Sequence, residues 1–152
     1  MRSIWFALFD TTIEEVDQHL SASGLGEPNE GDGYRWYYPP GPNAILYIDV
    51  GAYEWVEKYD LRDEYDELLE AVGNRKPAVE ISVDVTGRSP GDEEVNFIVD
   101  TILRRFEGFA FDDFISYSHA WTLIEIESNK KIDGLRFFDY KGYHEKNKKR
   151  DA

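Results

Sequence analysis

Adjacent carboxylates near an imidazole can hold a divalent cation or exchange protons, and the chain has one such set, Asp112 and Asp113 with His119. Neighbouring residues on a strand point to opposite faces, however, so both carboxylates reach one ion only if the backbone turns between them. A structural role for each is the expectation, and a metal-dependent or acid-base enzyme centred on Asp112, Asp113 and His119 is the alternative. The other reactive residues offer less. His19, His119 and His144 show no HxH or HExxH spacing, so no metal site is expected. Ser116 and Ser118 lie near His119 without a GxSxG elbow. Gly87-Arg88-Ser89-Pro90-Gly91 takes the place of a phosphate loop between a strand and a helix, but it has no phosphate-loop signature, and Asp92-Glu93-Glu94 would repel an anion there. It reads as a turn, and neither a catalytic set nor a cofactor is expected.

The 152 residues suit one domain, since a chain of this size buries roughly two thirds of the surface it exposes unfolded. With 41% hydrophobic and 15% aromatic residues the chain is too apolar to stay disordered despite its charge. That charge, -14 in total, is unevenly placed: residues 1–127 hold 27 acids against 9 Lys and Arg, whereas residues 128–152 hold 4 against 8. An acidic body repels phosphate backbones and anionic lipid, so nucleic-acid and membrane partners are not expected and a basic partner is. Cysteine is absent, which removes disulfides and thiolate chemistry. No apolar run is long enough to span a membrane, and the start turns acidic at Asp10, too early for a secretory signal, so a cytoplasmic location is expected.

The elements follow from periodicity. Ile4–Phe9 is apolar on both faces, as a central strand would be, and Thr11-Thr12 with Glu14-Glu15 caps a short helix that Gly24 ends. Residues 35–38 and 44–50 predict two strands paired across the proline-rich turn 39–43. Residues 53–72 carry a helical apolar stripe. Val79, Ile81, Val83 and Val85 alternate with polar residues as a half-buried strand does, and the stripe from Val95 to Phe106 makes the next helix. Strand follows over 109–111 and 114–117, expected beside the strand before it. Residues 121–127 fit either a helix opened by a Thr122–Glu125 capping box, the preferred reading, or a strand. Residues 135–140 predict a last strand. The fold expected is α+β: a single domain over 1–140 with a mixed sheet, a ferredoxin-like βαββαβ order and an added C-terminal unit, then a basic, frayed tail over 141–152.

Residues 54–70 are the most charged stretch, with eight acids against Lys58 and Arg62. Like-charge pairs such as Glu57 with Asp60 and Asp60 with Glu64 each cost about 0.2 to 0.5 kcal/mol in a helix. A solvated helix side is the bland explanation, and a field that steers a partner is the functional one. On the second reading Glu57, Asp60, Asp63, Glu64 and Glu67 are partner-binding candidates. Trp36 and Tyr37 join them, because Tyr34-Arg35-Trp36-Tyr37-Tyr38 has the composition of interface hot spots.

Asp112-Asp113, Ser118-His119-Ala120-Trp121-Thr122 and Gly134-Leu135-Arg136-Phe137-Phe138-Asp139-Tyr140 together resemble small bacterial immunity proteins of polymorphic toxin systems, over about a third of the chain. The resemblance implies an inhibitor that binds a toxin domain and performs no chemistry of its own. The expected function is therefore a protein-binding module that meets a basic partner, such as a toxin, through an acidic surface. The alternatives are the enzyme above and a self-associating structural protein with Trp36 and Trp55 in its interface.

Overall fold

The fold is given by a computed structural model that describes residues 2–52, 62–87 and 90–150. Six strands form one open sheet: β1 (Arg2–Leu8), β2 (Trp36–Tyr38), β3 (Leu46–Ala52), β4 (Val79–Val85), β5 (Gly108–Asp112) and β6 (Ser116–Trp121). Five helices are described with them: α1 (Ile13–Leu20), α2 (Arg62–Ala71), α3 (Asp92–Leu103), α4 (Leu123–Glu127) and α5 (Tyr140–Arg150). The spatial order is β2-β3-β4-β1-β5-β6, and every pairing is antiparallel, so the mixed sheet expected from the element order is corrected.

β5 does not lie beside β4 as expected. β1, apolar on both faces, sits between them. Gly108 lets β5 approach: a Cβ there would lie 2.4 Å from the Ala7 carbonyl oxygen. On one face Ile4, Phe6 and Leu8 join Ile81, Val83 and Val85 under Val16 and Leu20 of α1 and the Val95, Ile98, Val99 and Ile102 stripe of α3. On the other, Ala7, Phe9, Phe111 and Ala120 pack against Leu68 and Val72 around α2.

Local chemistry fixes the ends. Thr12 accepts from the Glu15 N–H at 3.2 Å to start α1, and Thr122 and Glu125 form a reciprocal capping box at α4, which settles residues 123–127 as helix. The C-terminal reading needs one correction. Residues 135–140 make only an isolated bridge, Ile132 with Leu135, after which Phe137 and Phe138 turn inward and join the core. Beyond them, Asp139 caps α5 through the Gly142 N–H at 3.0 Å, and Tyr143 stacks on Phe114 at 4.7 Å. Among the described residues no helix is long and apolar enough to cross a membrane.

Candidate functional site

Strand alternation gives β2, β3, β4 and β1 one apolar face and one face of a different composition. Three rows of paired residues build the second. Tyr37 lies opposite Tyr47, which lies opposite Asp84 and then Ser3. The next row runs Asp49, Ser82, Trp5, Phe111, and the third runs Gly51, Glu80, Ala7, Phe109. Three carboxyl groups and a cluster of aromatic rings thus share one face of the sheet, part of it beneath α2, although they come from segments up to about 100 residues apart.

The tyrosines form a platform at one end. Tyr34 and Tyr37 lie 5.3 and 5.6 Å from the Tyr47 ring, and the Tyr37 hydroxyl accepts from the Tyr34 N–H at 3.1 Å. Asp84 is held between two hydroxyls: Tyr34 donates to one oxygen, and Ser3 Oγ donates to the other at 2.7 Å. Asp49, exposed on β3, accepts from the Arg35 N–H at 2.9 Å. Trp5 stacks on Phe111 and meets the edge of Tyr117. Glu80 stands between Ala7 and Gly51, two residues too small to reach it, and is only 6% exposed. Its Oε2 and the Trp5 Nε1, diagonal neighbours on this face, are buried with no hydrogen-bond partner among the described residues.

The electrostatics follow from that crowding. Burial pushes the Glu80 carboxyl up to about 7. Burial also raises Asp49, with the Asp84 charge adding to it and the Arg35 N–H and guanidinium opposing. The Tyr34 hydroxyl rises to about 12, first through its hydrogen bond to Asp84, then through burial and the Asp84 and Asp49 charges. No ion pair neutralises Asp49, Asp84 or Glu80 among the described residues, whereas Arg35, whose backbone N–H meets Asp49, has its guanidinium paired with Asp17. The face is negative, partly desolvated and ringed by π systems, an arrangement that attracts a cation.

The sequence-derived candidates fall elsewhere or only at its margin. Tyr37 belongs to the platform. Trp36 is corrected: it is 2% exposed, packs into the core and donates to the Gly26 carbonyl at 3.4 Å, so its ring has no face to offer a partner. Glu57, Asp60 and Trp55 lie outside the described residues, and Asp63 and Glu64 are placed on α2 by the backbone alone. Glu67 is exposed on α2 with Asp66 and Glu70, opposite the buried Leu68.

Asp112, Asp113 and His119 are each engaged separately. Asp112 is 1% exposed and accepts three backbone N–H groups, from Phe114 and Ile115 at 3.2 Å and from Phe138 at 2.8 Å. Burial raises its pKa, and those three donors oppose the rise. Asp113 turns the other way and accepts from the Ser3 N–H at 2.8 Å. His119 contacts Glu125 at 3.1 Å; burial opposes ionisation of Glu125, but the Thr122 N–H, Lys130 and His119 hold it down to about 2. No group of three or more His, Asp or Glu able to hold a metal ion occurs among the described residues.

No family model matches the chain, and comparison with curated proteins and with solved structures gives no match either. Sequence reasoning missed Asp49, Asp84 and Glu80 because each reads as an ordinary polar-face residue of an alternating strand. Only the register brings them together.

Proposed function

We propose that this protein is a binding module for a basic protein partner, acting in the cytoplasm as an immunity-type inhibitor. The observation that carries the reading is the set of three carboxyl groups, Asp49, Asp84 and Glu80, gathered on one aromatic sheet face without a cation paired to them among the described residues. A Lys or Arg from a partner would meet the exposed Asp49 first and lie against the Tyr34–Tyr47 platform, where cation–π contact adds to the charge attraction. Asp66, Glu67 and Glu70 on α2 extend the negative field and favour fast capture, which suits an inhibitor of a toxic enzyme. On this reading β5-β1-β4-β3 with α1 and α3 form a ferredoxin-like core, and β2 and β6 are added edges, the first of which builds the platform.

The test is capture from a lysate of the source organism with wild-type protein and with Asp49→Lys/Glu67→Lys/Glu70→Lys, followed by co-expression of the captured protein. Support is one basic protein held stoichiometrically by the wild type, released by salt, lost by the triple variant, and toxic to cells unless the wild type is co-expressed. Equal retention by the triple variant, or a captured protein that is harmless alone, would count against it.

A further inference from the structure

A second surface has the opposite sign and no part in the reading above. A groove of about 690 Å³ opens between the β4–α3 turn and α5, and its lining includes Arg2, Arg136, Lys141 and Lys148. That volume is ordinary for a small-molecule site, which runs about 300 to 1,000 Å³. Lys141 and Lys148 stand seven residues apart and so project from the same side of α5, with Tyr140 beside them.

The floor is built rather than incidental. The Arg2 side chain is largely buried, donates to the Pro90 carbonyl at 2.7 Å and the Thr86 carbonyl at 2.6 Å, and lies under the Tyr140 ring at 4.7 Å. One guanidinium therefore ties the start of β1, the β4–α3 turn and the start of α5 together at the groove's base.

Among the described residues of the lining, four cations, of which Arg136 lies 4.0 Å from Asp139, stand with two carboxylates, Asp92 and Glu145, in a chain whose acids outnumber its Lys and Arg by 31 to 17. Elsewhere the acids are used to neutralise cations: Arg75 pairs with Glu107 and Asp10, and Arg104 with Asp100 and Glu127. Lys141 and Lys148 have no such pair among the described residues, although Glu145 is four residues from Lys141 and three from Lys148.

We propose that this groove binds a small phosphorylated molecule, with Lys141, Lys148 and Arg136 on its phosphoryl oxygens and the Arg2 charge beneath. Asp92 and Glu145 in the lining, and the negative body beyond it, disfavour a long polyanion and so select a compact ligand over a nucleic-acid strand.

Amide-resolved NMR titration of the full chain at low ionic strength, with inorganic pyrophosphate as the probe, tests this. The expected result is saturable shifts confined to Gly87, Tyr140, Lys141 and their neighbours, weakened at least about tenfold by Lys141→Glu/Lys148→Glu and unchanged by Lys76→Glu/Lys131→Glu, a charge-matched control outside the groove. Any of three results would overturn it: no saturable shift at millimolar pyrophosphate, equal weakening by the control pair, or tighter binding of a single-stranded oligonucleotide than of pyrophosphate.

Discussion

Glu80 is a carboxyl group whose charged form folding disfavours. Its pKa rises from 4.5 to about 7 through burial, so the native state holds its proton longer than the unfolded chain does. Stability from this group is fully present below the unfolded value and is lost as pH rises through 7. Glu80→Gln should therefore be close to neutral near pH 4 and stabilising by about 3 kcal/mol above pH 8, measured by urea unfolding at both pH values. Asp112 gives the opposite result. Removing the acceptor of three backbone N–H groups by Asp112→Ala should destabilise the fold by about 3 kcal/mol or more at neutral pH, seen as a lower urea midpoint. At this scale the sequence was legible where a side chain serves its own neighbourhood, as in the Thr122–Glu125 box. It was not legible where the partner is remote: nothing near Glu80 marks it as buried, since Ser82 and Asp84 on the same face remain partly exposed.

Elements were legible in proportion to their periodicity. β4 and α3 carry clean periods of two and 3.6 and appear where the patterns put them. The apolar run at 135–138 misleads because a loop that inserts two phenylalanines into a core has the same composition as a strand. Sheet order was out of reach as well, since pairing β5 with β1 depends on a close approach at Gly108 rather than on any local pattern. Gly108→Ala should cost about 3 kcal/mol, because the backbone of Ala7 cannot move aside as a side chain could; a melting curve measures it. Truncation after Asp139 should lower the melting temperature by several degrees, since it strips Tyr143 from Phe114 and Tyr140 from Arg2. A frayed tail could be removed with no change.

The whole molecule is electrically divided, with an acidic body and a basic C-terminal segment. A negative aromatic sheet face and a positive groove beside α5 express that division in three dimensions. The composition made the division legible, but not which carboxylates form a surface, because that depends on a register that only the folded sheet supplies. Surface charges act mainly on the association rate and are screened beyond about 10 Å at 0.1 M salt, so the sheet face should reveal itself in kinetics before it does in equilibrium. The most direct measurement is the association rate of the captured basic partner with wild type and with Asp49→Lys/Glu67→Lys/Glu70→Lys, at low and high salt. The account predicts a rate at least about tenfold lower for the variant at low salt, with the difference shrinking as salt rises and the variant's melting temperature close to wild type. Equal rates at low salt, with both proteins folded, would contradict it.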